Sequence, residues 1–126
     1  MKLGLYADPH ISLSSSIVMG KKGSLSGRLE NLVKSFTWMN KFFTDNNVDH
    51  IICLGDLVDK PTLNAEEISA MKECHIDNHI IILGNHERSS ADGTYNSINM
   101  YDHVITSPAM LSDDVVMLPY GSDFIL

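Results

Sequence analysis

Three short clusters hold the side chains of this sequence whose types and spacing suggest chemistry: Asp8-Pro9-His10, Gly55-Asp56-Leu57-Val58-Asp59 and Gly84-Asn85-His86-Glu87. Each sets oxygen or imidazole ligands beside a glycine or proline that controls the backbone. In the first, Pro9 is expected to hold Asp8 extended. Residues two apart in extended chain point to the same side, so Asp8 and His10 can reach one ion. A carboxylate with an imidazole suits manganese, iron or zinc better than calcium. In the second, Gly55 permits a sharp turn that presents Asp56, whose carboxylate can bridge two cations about 3.5–4 Å apart. Asp59 is expected to orient the loop through hydrogen bonds rather than touch metal. In the third, Asn85 offers an amide oxygen, a ligand suited to a site already rich in negative charge. His86 then faces the substrate, where an imidazole protonates a leaving oxygen or holds a phosphoryl oxygen. Each cluster alone also has an ordinary reading as a turn aspartate, a strand-ending Gly-Asp turn, or a capping asparagine beside a surface histidine. All three occurring in order, each closing an apolar segment, favours the chemical reading.

Those apolar segments are the elements that must position the clusters. Residues 2–7 read as a buried strand stopping at Asp8-Pro9, and residues 12–27, rich in Ser and Gly, as a loop. Over 28–43, Leu29, Leu32, Val33, Phe36, Met39 and Phe43 recur at helical spacing, with Phe36, Met39 and Phe43 as a core stripe and Trp38 off it. A second strand follows Asp49-His50 and breaks at Gly55. Thr62 or Asn64 caps a helix running to about Cys74. A third strand opens at His79 and ends at Gly84. Beyond it lie a polar loop, a helical turn near Ile98–Tyr101, and short strands near His103–Ile105 and Val115–Leu118. Strands alternating with helices predict a largely parallel sheet with helices on both faces. The clusters then sit at the carboxyl ends of the strands, where open α/β sheets place their ligands.

A chain of 126 residues, 44% of them hydrophobic, is read as one domain over 1–126 with a core of its own. Its net charge of -7, from 9 basic and 16 acidic side chains, argues against non-specific grip on duplex DNA. It does not exclude a nucleic-acid substrate, because bound cations invert the local field. Cys53 and Cys74 make no disulfide framework and fit a reducing compartment. No apolar run approaches about 20 residues and no signal-like segment opens the chain, so a cytoplasmic protein without membrane contact is expected. Lys21 and Lys22 lie in the loop beside the clusters, as solvated charges or as contacts to phosphates.

The ordered set D-x-H, G-D-x-x-D, G-N-H-[DE] resembles the N-terminal half of the calcineurin-like metallophosphoesterase signature, and the resemblance covers nearly the whole chain. It implies an α/β fold, the N-terminal portion of a four-layer α-β-β-α sandwich, with two divalent cations at the strand ends. Asp8 and His10 would hold the first cation, Asp56 would bridge both, Asn85 would hold the second, and His86 would be the catalytic histidine. Mn2+ is the first choice of cation, with Mg2+, Fe2+ or Zn2+ as alternatives. Finer details are similar to the DNA-repair exonucleases of the SbcD type: Arg28 and Glu30 opening the first helix, the run from Gly55 to Pro61, and Val116-Met-Leu-Pro-Tyr120. That branch implies DNA as substrate and an ATPase subunit as partner. The runner-up readings are a phosphatase or phosphodiesterase for small substrates, and a catalytically idle binding module.

The family completes its site with later histidines, a lone one and then a G-H-x-H pair, and no G-H-x-H occurs here. The expectation is a domain truncated at its C-terminus, with weak metal binding. His50 and His79 precede strands, and His75 lies near a helix end, where a cation favours the dipole. His103 is the one conceivable substitute. An uncovered sheet face would then self-associate, or be covered by the last strands near Val115–Leu118.

Overall fold

The computed structural model describes residues 1–12, 21–22, 25–85, 87 and 96–122. In chain order the elements are β1 (Leu3–Tyr6), β2 (Lys21–Lys22), β3 (Leu25–Ser26), α1 (Gly27–Asp45), β4 (His50–Cys53), α2 (Ala65–Glu73), β5 (Ile80–Ile82), β6 (Val104–Ile105), β7 (Ala109–Ser112) and β8 (Val115–Met117). Three of these, β2, β3 and β7, depart from the sequence reading. The Ser- and Gly-rich segment before α1 contains the antiparallel pair β2–β3, and β8 pairs with an unforeseen partner, β7.

Local chemistry explains the helix limits. The Asn47 and Val48 amides return to the carbonyls of Thr44 and Phe43, with Asn47 at φ 53, so asparagine supplies the left-handed residue that ends α1. At the start of α2, Asn64 Oδ1 accepts from the Glu67 amide at 2.8 Å, and Glu67 Oε1 accepts from the Asn64 amide at 3.0 Å. This reciprocal cap satisfies two otherwise unpaired donors. Lys60 Nζ, 3.1 Å from the same buried Glu67 carboxylate, supports it.

The main sheet has order β1-β4-β5-β6, and every pairing in it is parallel. The order never reverses. Right-handed crossovers that always step the same way leave their helices on one side, and here both helices pack on the same face, not on both. Leu29 and Phe36 of α1 and Ala70 and Met71 of α2 share one core with Cys53, Ile81 and Leu83. The opposite face carries Ile52 and Ile82, which pack against Met117, Ala109 and Leu111 of the β7–β8 ribbon. That cover is partial: Leu5, on the same face of β1 as Leu3, is 51% exposed, and Leu54 is 49% exposed. The last strands therefore pack across the second face near its β5–β6 edge and leave the β1 side open.

The stripe along α1 packs into the core from Leu29 to Met39, with Phe36 edge-on to Tyr6, while Phe43 is half-buried with its ring against Gly4 of β1. Trp38 is 68% exposed and stacks on Phe42 of its own helix at 5.3 Å. Eleven residues beyond Gly27, it stands roughly 16 Å along the axis from the helix start.

His79, at the amino end of β5, is only 2% exposed. Its Nε2 lies 2.8 Å from Asn40 Oδ1 and its Nδ1 2.9 Å from the Tyr6 hydroxyl. Asn40 Nδ2 donates to the Cys74 carbonyl, which turns Oδ1 toward the ring and places the imidazole proton on Nε2. Tyr6 then donates to Nδ1. Burial holds this neutral ring down to about 4, with Asp77 opposing weakly. The folded value lies below the ordinary one, so the unfolded chain takes the proton first as pH falls. This contribution is complete above about pH 6.5 and is lost on acidification toward the folded value. Urea unfolding at pH 7 and pH 5 should show a loss of about 2 kcal/mol. His79→Gln should remove most of that difference, and an unaltered pH slope in the variant would refute the assignment.

Candidate metal centre

Beyond Tyr6 the chain continues beside the end of β4. Asp8 N donates to Gly55 O at 3.1 Å, His10 N to Asp56 O at 3.1 Å, and Ile11 N to Leu57 O at 2.9 Å. The parallel pairing thus runs past both strands, in distorted form, to a bridge between Ile11 and Val58. The distortion is the feature that matters. Asp8 takes φ 55, His10 φ 46 and Asp56 φ 51, which makes them three of the five non-glycine residues with positive φ among those described. Asp8 is therefore not held extended by Pro9, as its sequence context suggests. The hydrogen bonds to the Gly55-Asp56-Leu57 backbone overrule the local preference. Each such residue costs on the order of 1–3 kcal/mol, and such strain concentrates where a site needs side chains aimed together.

The result is convergence. One ligand atom each from Asp8, His10 and Asp56 lies within 4.8 Å of the others. Donors around one cation of this class stand about 2.0–2.2 Å from it and so at most roughly 4.4 Å apart. The O, N, O set closes around an ion with small side-chain adjustments, and this donor mixture suits a borderline divalent metal.

Supporting contacts come from both flanks. His10 Nδ1 lies 3.1 Å from Asp59 Oδ1. With Nδ1 engaged there, Nε2 is the ring atom offered to a cation, and a carboxylate behind a ligating imidazole fixes its orientation. Asp59 thus holds the ring of a candidate ligand, a more specific contact than orienting its own loop. From the first turn of α1, Arg28 Nε donates to Ser12 O at 3.0 Å and Nη2 to His10 O at 3.3 Å. The grip of Arg28 on the His10 and Ser12 carbonyls emerges only in three dimensions.

The third cluster closes on the second through Gly84. A Cβ there would stand 2.3 Å from Asp56 N and 2.4 Å from Asp56 Oδ1. Only glycine lets the end of β5 approach the Asp56 carboxylate so closely. Asn85 follows directly, exposed, in the turn after β5. His86 lies outside the described residues. Glu87 turns back inward and is fully buried, with Oε1 accepting from the Leu57 amide. Burial pushes its carboxyl up, the Asp56 charge adds to this, and backbone amides including those of Leu57 and Val58 draw it down. No feature of its type or spacing marks Glu87 as buried beyond its place in the G-N-H-E motif.

The remaining histidines stand elsewhere. His50 and His79 are at the amino ends of β4 and β5, and His75 follows α2. His103 precedes β6, with its carbonyl accepting from Ile81 N, so it too lies at the amino ends of the strands. It cannot replace a ligand at the carboxyl ends.

The family model for calcineurin-like phosphoesterases matches residues 1–123. The chain belongs to that family. Comparison with curated proteins gives no match. The family hydrolyses phosphoesters with divalent metals, and the phosphoesterase described here carries a possible metal-binding Asp8-His10-Asp56 group at the carboxyl end of a parallel sheet. Among the described residues, no helix is long and apolar enough to cross a membrane.

Proposed function

We propose that this phosphoesterase hydrolyses phosphodiester bonds in DNA with two manganese ions, as the exonuclease subunit of a cytoplasmic DNA-processing complex that works with an ATPase. The observation that carries the metal-dependent part is the convergence of Asp8, His10 and Asp56 within 4.8 Å. Asp8 and His10 would hold the first ion, Asp56 would bridge, and Asn85, next to Gly84, would hold the second. Such ions, when bound, neutralise charge on phosphoryl oxygens and make water acidic. Asp59 would keep the His10 ring aimed, Arg28 would keep the loop that bears it in place, and His86 would give a proton to the leaving oxygen.

The DNA part rests on finer likeness: Arg28 and Glu30, the Gly55–Pro61 run, and the Val116–Tyr120 segment. Tyr120 N donates to Leu83 O at 3.0 Å, which brings that segment beside Gly84 and Asn85. Contact with a partner or a second copy would use the open face around Leu5 and Leu54.

The test compares manganese-dependent cleavage of linear DNA, single- and double-stranded, with that of bis(p-nitrophenyl) phosphate. Nucleotide release from DNA ends is the expected result. Turnover of the aryl diester without DNA cleavage would replace this reading with a small-substrate phosphodiesterase. Tight manganese binding with no turnover of either would make the chain a binding module.

A further inference from the structure

Glu87 is a buried carboxylate that the proposed metal chemistry does not use, yet it touches both loops that bear ligands. Its backbone belongs to the turn after β5, two residues beyond Asn85, and its carbonyl accepts from Ser97 N at 3.1 Å. Its side chain crosses to the turn after β4, where Oε1 accepts from the amide of Leu57, the residue after Asp56. The other oxygen, Oε2, has no hydrogen-bond partner among the described residues and would stand 2.9 Å from a Cβ on Gly84. Burying a carboxylate is costly unless hydrogen bonds offset it. The direction of the contact suggests its use.

We propose that Glu87 is a positioning residue that ties the Asp56 loop to the Asn85 turn through the Leu57 amide and so fixes the separation of two metal ligands. Without the tie, β4 and β5 still pair, but only Ile52↔Ile80 and Cys53↔Ile81 register them, and both ligands lie past the end of that pairing. Gly84 allows the turns to approach, and Glu87 holds them there. The inference rests on the metal-centre reading above.

The acceptor oxygen, not the charge, does the work in this scheme, and that separates it from a general structural role. Glu87→Ala should weaken Mn2+ binding by about 10–100-fold, the usual effect of losing a contact behind a metal ligand. Glu87→Gln keeps an acceptor for Leu57 and should bind Mn2+ close to wild type. Calorimetric titration with Mn2+ alone, on samples shown to be folded, measures both. In the metal-free protein, hydrogen exchange at the Leu57 amide should accelerate in Glu87→Ala and stay slow in Glu87→Gln. The proposal is overturned if Glu87→Ala binds Mn2+ as wild type does, if Glu87→Gln falls as far as Glu87→Ala, or if Leu57 exchanges alike in all three. If the wild type binds no Mn2+, the metal reading fails by itself, and Leu57 exchange still decides the tie. If Glu87→Ala does not fold, rapid Leu57 exchange or weak Mn2+ binding in Glu87→Gln overturns the proposal, and retention of both supports it.

Discussion

Asp56→Asn is expected to weaken manganese binding by at least about 100-fold, beyond the range seen when residues behind a ligand are lost. The side chain sits with ligand atoms of Asp8 and His10 within 4.8 Å, and its loop is held by the His10 amide and packed against Gly84. A carboxylate offers an oxygen to each of two cations, whereas an amide offers one oxygen and no charge. The metal-free protein should respond in the opposite sense. Asp56 raises the cost of ionising its buried neighbour Glu87 and faces the Asp8 carboxylate, so removing its charge relieves repulsion. The variant should melt higher than wild type in chelator, yet gain little of the stabilisation that saturating Mn2+ gives the wild type through mass action. Thermal melts with and without Mn2+, beside calorimetric titration, check both halves. Unchanged manganese affinity would remove Asp56 from the bridging role.

Gly84→Ala should be the most damaging small substitution to the fold. The added methyl would stand 2.3 Å from the backbone nitrogen of Asp56 and 2.4 Å from its carboxylate oxygen. A side-chain oxygen can rotate away, but the Asp56 backbone is pinned, because its carbonyl accepts from the His10 amide. The two turns must part, at a cost of about 3 kcal/mol or more, the upper range for overpacking a tight contact. Manganese affinity should drop with stability, since the same movement carries Asn85 away from Asp56. Urea unfolding at pH 7 gives the stability change. A midpoint equal to wild type would show that the turns are looser than these contacts imply.

Both predictions rest on residues the sequence picks out, and the reason is local. A ligand type beside a glycine or proline, directly after an apolar strand, is a pattern within five residues, and it singles out Asp8, His10 and Asp56, which the fold brings together, and Asn85, which it sets beside Gly84. Likewise α1 follows from a three-to-four spacing of Leu29, Leu32, Val33 and Phe36, and the start of α2 from a cap at Thr62 or Asn64, of which the fold uses Asn64. Short-range rules also mislead where distant contacts compete. Pro9 favours an extended Asp8, but Gly55 and Asp56, more than forty residues away in sequence, supply the hydrogen bonds that hold Asp8 and His10 in left-handed conformations. The placement of both helices on one face depends on the strand order β1-β4-β5-β6, which no single segment encodes. Strand β7 went unseen because Ala109–Ser112 is short and half-buried and is a strand only through its pairing with β8. The sequence by itself determined which side chains could bind metal and which ends of the strands would carry them. The tertiary structure decided how those side chains converge, and that Glu87 turns inward to the Leu57 amide, because both depend on hydrogen bonds between residues that only the folded sheet makes neighbours.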